Sequence, residues 1–253
     1  MNLNYSDQGV GPALIMQHGL GGQLAQAVEL GADLGAYRLI CMDARGHGQT
    51  PYSLDHPANF DQYVDDLVAI LDHLEIEMAI IGGVSMGAGI SMNMALRYPS
   101  RVKALLLIRP AWLDQGRPES LEILRVLADY LDEPDGKARF AERLDFQALA
   151  QSLPNAAASL LGQFANRLPH RSDVLRRIID DRPVHNLADL NKIELPSLII
   201  ASDDDPLHPY RFAERIHASI PQSLLQKVSS RYLDHDAHLQ EVRQHLRDFL
   251  DKI

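Results

Sequence analysis

Short apolar runs, each closed by glycine, proline or aspartate, constrain the fold of this chain more than any other feature. Residues 13–16 (ALIM) lead into His18-Gly19, and 37–42 (YRLICM) into Asp43. Residues 78–81 (MAII) lead into Gly82-Gly83, and 102–108 (VKALLLI) into Arg109-Pro110. A strand exposed on one face alternates apolar and polar residues, whereas a run that is apolar nearly throughout suits a strand covered on both faces of a parallel sheet. Helical periods lie between the runs. Phe60, Tyr63, Leu67, Ile70, Leu71 and Leu74 share one helical face. Residues 88–97 read as a helix stopped by Pro99. Repeated strand–helix units predict an α/β fold with a mostly parallel, doubly wound sheet.

The alternation stops after Pro110. Residues 121–131, 137–149, 156–168 and 174–179 read as helices, cut by Pro118, Pro134, Pro154, Pro169 and Pro183. Strand-like residues 198–201 (LIIA) resume the pattern, followed by a helix over 210–216, a strand over 224–228 and a last helix with Leu239, Val242, Leu246, Phe249 and Leu250 on one face. The expected organisation is one α/β core, residues 1–110 and 191–253, interrupted by a helical insertion over 111–190.

Charge and cysteine content narrow the function classes. With 24 Lys and Arg against 34 Asp and Glu, the net charge is −10. A nucleic-acid or anionic-membrane partner needs a basic face, so neither is expected. Cys41 is the single cysteine, which excludes an internal disulfide and a thiolate zinc site. It falls in an apolar run and reads as core. The first residues, MNLNYSD, have neither the basic nor the apolar region of a signal peptide. No apolar run is long enough to span a bilayer. These features predict a soluble, cytoplasmic protein and leave small neutral or cationic substrates open.

The strongest chemical signal is Gly83-Val84-Ser85-Met86-Gly87, set between a buried strand and a helix. G-x-S-x-G marks a turn so sharp that small residues must flank the serine. The turn lifts the Ser85 hydroxyl above the sheet and aims the Met86 N–H, at a helix N-terminus, toward a developing oxyanion. His18-Gly19-Leu20-Gly21-Gly22 follows the first buried strand, and its Leu20 N–H is the candidate second donor. His18 reads as a loop-bracing residue rather than a proton shuttle. Asp43-Ala44-Arg45-Gly46-His47-Gly48 is a further polar turn after a strand.

The His18-Gly19 loop, the Asp43–Gly48 turn and the Ser85 elbow, in that order, resemble the α/β-hydrolase superfamily. The resemblance covers nearly the whole chain, with 111–190 in the place of the variable cap. It implies a structural role for the Asp43–Gly48 turn, His47 included, and a base and an acid in the order Ser, Asp, His. The acid is expected after residues 198–201, in Ser202-Asp203-Asp204-Asp205-Pro206-Leu207-His208-Pro209. Asp205 matches the superfamily's position best, with Asp204 second. A metal site built from the three aspartates and His208 is not favoured, and no cofactor or metal is expected.

The histidine is expected just before the last helix, where Asp234-His235-Asp236-Ala237-His238 offers two candidates. The superfamily's spacing, about 17 residues before an aromatic–leucine pair in that helix, falls nearer His235. An Asp-x-x-x-His ahead of Val242, together with Arg109-Pro110-Ala111-Trp112 and Asp205-Pro206-Leu207-His208-Pro209, resembles a less-studied branch and favours His238. The expectation is therefore His238 as base, with His235 as the alternative. His245 reads as a surface or satisfied histidine, and Met86 and Met92 as core or pocket wall. Arg109 and Trp112 are candidate substrate contacts, Arg109 with the alternative of pairing to an aspartate. The implied enzyme is a serine hydrolase acting through an acyl-enzyme, most simply a carboxylic-ester hydrolase. C–C bond hydrolysis and perhydrolysis on the same triad are alternatives, as is a ligand-binding protein with little turnover.

Overall fold

The computed structural model describes residues 2–165 and 168–253. The described residues form seven strands: β1 (Tyr5–Gln8), β2 (Ala13–Gln17), β3 (Arg38–Met42), β4 (Ala79–Val84), β5 (Val102–Ile108), β6 (Ser197–Ala201) and β7 (Ser223–Lys227). They make one sheet in the order β1-β3-β2-β4-β5-β6-β7, parallel throughout except for β1, which pairs antiparallel with β3 at the edge. The order places β4 near the middle, so the segment that follows it emerges at the centre of the sheet's C-terminal edge.

Ten α-helices and four short 3-10 helices complete the described structure; the α-helices are α1 (Leu24–Gly31), α2 (Phe60–His73), α3 (Met86–Arg97), α4 (Glu122–Tyr130), α5 (Gly136–Ala141), α6 (Leu144–Ser152), α7 (Pro154–Gly162), α8 (Arg171–Asp180), α9 (Tyr210–Ser219) and α10 (His235–Leu250). The apolar runs are continuous because both sheet faces are covered. Successive strand residues point to opposite faces. Ile15, Ile40 and Ile81 join one cluster with residues of α2 and α3. Their neighbours Leu14, Leu39 and Ile80 join a second with Ala27 and Leu30 of α1 and Val242, Leu246 and Phe249 of α10. Cys41 is fully buried in this second layer, and burial pushes its thiol up to about 12.

Two elements escaped the sequence reading. β1 is a polar, half-exposed edge strand with no apolar run to mark it. α1 buries only Ala27, Leu30 and Gly31, too few to make a clear period. The helix expected over 137–149 is two, α5 and α6, which meet near Arg143. Between β5 and β6 the described residues contain helices and no strand.

Candidate active site

β4 ends at Val84, and Ser85 stands in the tight turn that opens α3, with φ 59° and ψ −109°. This positive φ costs a non-glycine residue about 1–3 kcal/mol and persists only where its surroundings enforce it. Here the Ser85 N–H donates to the Ile108 carbonyl at 2.9 Å. The flanking glycines are required by space. A Cβ on Gly83 would lie 2.7 Å from the Gly87 Cα, and one on Gly87 would overlap the Gln17 carbonyl.

The residues that meet Ser85 come from the loop after β6. Asp205-Pro206-Leu207-His208 forms one turn, closed by the His208 N–H donating to the Asp205 carbonyl at 3.2 Å. Such a turn, with proline at its second position, brings its first and fourth side chains together. His208 Nδ1 lies 2.8 Å from Asp205 Oδ1, and His208 Nε2 lies 2.8 Å from Ser85 Oγ. Arg109, at the end of β5, donates from Nε to Asp205 Oδ2 at 2.6 Å, and its Nη2 is 3.1 Å from His208 Nδ1. With Nδ1–H donated to Asp205, His208 Nε2 is left to accept the Ser85 hydroxyl proton.

Burial and charge tune these groups. Burial works to raise Asp205, but the charges of His208 and Arg109 and the hydrogen bonds they donate hold it well below the usual carboxylate range. Burial lowers His208, Asp205 opposes that, and the Arg109 charge adds to it. A carboxylate and a neutral imidazole are the resting states at neutral pH, as a general base requires.

The structure brings together Ser85, Asp205 and Arg109 of the residues singled out in the sequence, and it adds His208. The expectation of His238 as base is corrected. α10 begins at His235, capped by Asp234, whose Oδ1 accepts the Ala237 N–H at 2.9 Å. His238 therefore sits in the first helical turn, and its Nδ1 bonds the Ser229 carbonyl at 2.8 Å rather than Ser85. His235 is exposed on the same turn. Counting about 17 residues back from Phe249 lands on Tyr232, so the spacing itself finds no histidine. The signal that could have found His208 was local: an aspartate, a proline and a histidine with the spacing of one turn. Of the other aspartates, Asp203 pairs with Lys227, and the Asp204 carbonyl accepts from Ser230 Oγ.

The loop after β2 faces Ser85. His18 is buried; its Nδ1 donates to the Gly19 carbonyl at 2.8 Å and its Nε2 accepts the Ala44 N–H at 3.0 Å. Gln26 Oε1 accepts the Gly19 N–H at 2.8 Å. The N–H groups of Leu20 and Met86 donate to no acceptor among the described residues. The Asp43–Gly48 turn braces this loop: Asp43 accepts from the N–H of Leu24 and Gln49 and from the Asn4 side chain. His47 is buried with its ring 5.0 Å from that of His18.

Above Ser85 lies a cavity of about 140 Å³. Its wall combines Leu20, Arg109, His208, Arg231 and Tyr232 with Trp112, Leu121, Leu124, Ser159 and Leu160 from the segment between β5 and β6. Trp112 is buried edge-on against Phe60, ring centres 5.5 Å apart.

Comparisons with known proteins agree with this architecture. The chain is 28% identical over 218 residues, 85% of this chain and 83% of the relative, to an Agrobacterium fabrum protein named "Putative carbamate hydrolase RutD". An Escherichia coli O7:K1 protein of the same name is 28% identical over 231 residues, 88% of this chain and 84% of the relative. The structure is similar to that of the enol-lactonase from Burkholderia xenovorans LB400, with a TM-score of 0.78 at 20% identity, covering 98% of this chain and 96% of that one. It also matches a meta-cleavage product hydrolase from Pseudomonas fluorescens IP01, with a TM-score of 0.76 at 23% identity, covering 99% and 94%. The family model for the alpha/beta hydrolase fold matches residues 12–241, and the chain belongs to that family.

Proposed function

We propose that this protein is a serine hydrolase that cleaves a small acyl substrate, an ester or a related carbonyl compound, through an acyl-enzyme. The observation that carries this reading is the unbroken hydrogen-bond chain from Ser85 Oγ through His208 to Asp205. A serine hydroxyl is a poor nucleophile until a base takes its proton. In this reading His208 Nε2 takes it as Ser85 Oγ attacks the carbonyl. Asp205 fixes the Nδ1–H tautomer and stabilises the imidazolium that forms. The Leu20 and Met86 N–H groups hold the oxyanion; one such donor contributes about 3–4 kcal/mol to the transition state. His208 then returns the proton to the leaving group, and water repeats the sequence to free the acid. The segment over 111–190 acts as a cap, and the modest cavity beneath it suits a small acyl group.

A fluorophosphonate probe tests this reading. The folded protein should be labelled, and Ser85→Ala should not. A folded protein that resists labelling and hydrolyses no activated ester would overturn it. The names of the relatives above add carbamate-type acyl carbonyls to the panel to assay.

A further inference from the structure

We propose that Arg231 is the anchor for a carboxylate on the substrate, so that the preferred acyl donors are anionic, such as half-esters of dicarboxylic acids. This rests on the hydrolase reading and narrows its substrate class. Arg231 lies in the loop between β7 and α10 and lines the cavity over Ser85. The loop is fixed on both sides of it. Ser230 Oγ donates to the Asp204 carbonyl at 3.0 Å, and the Tyr232 carbonyl accepts from Asn155 Nδ2 of α7 at 2.8 Å.

The two arginines that line the cavity among the described residues differ in one respect. Arg109 is neutralised by Asp205, 2.6 Å away. Arg231 has no hydrogen-bond or ion-pair partner among the described residues, and its guanidinium carbon lies over the Tyr232 ring, 5.6 Å from the ring centre. No aspartate or glutamate among the described residues lines the cavity. Burial and the nearby Arg109 charge disfavour the Arg231 cation, and Tyr232, Asp205 and Glu29 offset them only in part. Half-burying a cation without a partner is unfavourable. A carboxylate delivered by the substrate removes that penalty and matches the planar guanidinium fork with two parallel hydrogen bonds. Trp112 adds a buried indole N–H with no acceptor among the described residues. For a half-ester, attack by Ser85 gives a carboxylate-bearing acyl-enzyme and an alcohol, and water releases the dicarboxylate.

Matched ester pairs test the assignment. Mono-p-nitrophenyl succinate against p-nitrophenyl butyrate reads a carboxylate on the acyl side. 4-Acetoxybenzoate against phenyl acetate reads one on the leaving group. The native protein should favour the succinate over the butyrate by roughly tenfold or more in kcat/KM, and Arg231→Gln should shrink that ratio by a similar factor. Arg231→Lys should restore part of it. Absence of anionic preference, preference confined to the leaving-group pair, or an equal loss on both members of the acyl pair in Arg231→Gln overturns the proposal. If Ser85 labels with fluorophosphonate while the preference is missing, the anchor fails and the hydrolase reading stands. If no ester turns over, thermal shift with succinate decides: a rise in Tm for the native protein and none for Arg231→Gln supports the anchor, and no rise in either overturns it.

Discussion

Arg109 and Asp205 form a buried ion pair inside the site, Nη2 to Oδ2 2.6 Å, while the other oxygen of the same carboxylate faces His208 Nδ1 at 2.8 Å. The carboxylate therefore orients the His208 ring and neutralises a cation at once. Arg109 is held there by a backbone at φ 48° and by its N–H, which donates to the Ile200 carbonyl at 2.7 Å. Its charge, next to Nδ1, opposes protonation of His208.

Removing that charge has two expected effects. Breaking a buried pair leaves Asp205 uncompensated, so Arg109→Met should cost about 3–5 kcal/mol of stability in urea unfolding. The sign of the kinetic effect follows from the charge. Without the cation the imidazolium is less disfavoured, so the pKa of His208 rises and the acid limb of kcat/KM moves to higher pH. Arg109→Lys, which keeps the charge, should hold the limb near its native position. A limb that moves equally in both variants would show that the charge is not the cause.

The choice of base separates His208 from His238 directly. His208→Ala should lower kcat by about 10⁴-fold or more, because the Ser85 proton loses its acceptor. His238→Gln, which retains a donor for the Ser229 carbonyl, should stay within about tenfold of native. Single-turnover acylation with an activated ester measures both. The reverse ranking would return the role to His238.

The physical reasons for what was legible are specific. β4, the Ser85 elbow and α3 were readable because a two-sided buried strand and a glycine-flanked turn leave few alternatives for the residues between them. Asp205 was readable by its place after β6. His208 was passed over because the superfamily's chain order directs attention to the loop before α10, whereas the contact is made by one local turn. The pairing of Arg109 with an aspartate was one of two readings open for it, but that the partner is Asp205 follows only from the neighbouring loops after β5 and β6. Arg231 carried no motif at all; only the cavity it lines distinguishes it from a surface arginine.

The Asp43–Gly48 turn supports a stability prediction. Gly48 has φ +50°, and a Cβ there would overlap the Asp43 carboxylate. That carboxylate ties together Leu24, Gln49 and Asn4 beneath the loop that carries Leu20. Gly48→Ala combines backbone strain with displacement of a buried acceptor and should cost about 3 kcal/mol. Gly35, also at positive φ but with open space around its Cβ position, is the control, and Gly35→Ala should cost about 1 kcal/mol. Urea midpoints of the two variants compare them.

His238 gives stability a pH dependence of its own. Burial pushes its imidazole from 6.5 down to about 4 in the folded protein. The unfolded chain therefore binds this proton first as the solution is acidified. The resulting stability is full above about pH 6.5 and is lost as pH falls toward the folded value, with about 2 kcal/mol gone by pH 5. His18, His47 and His208 shift in the same direction, so the native protein should lose more than this between about pH 7.5 and pH 5. His238→Gln removes one contribution and leaves the other three in place. Its urea-unfolding free energy should fall by about 2 kcal/mol less than that of the native protein over the same interval. Equal losses in the two proteins would show that His238 stays protonatable when folded, and would place its ring closer to solvent than the bond to the Ser229 carbonyl implies.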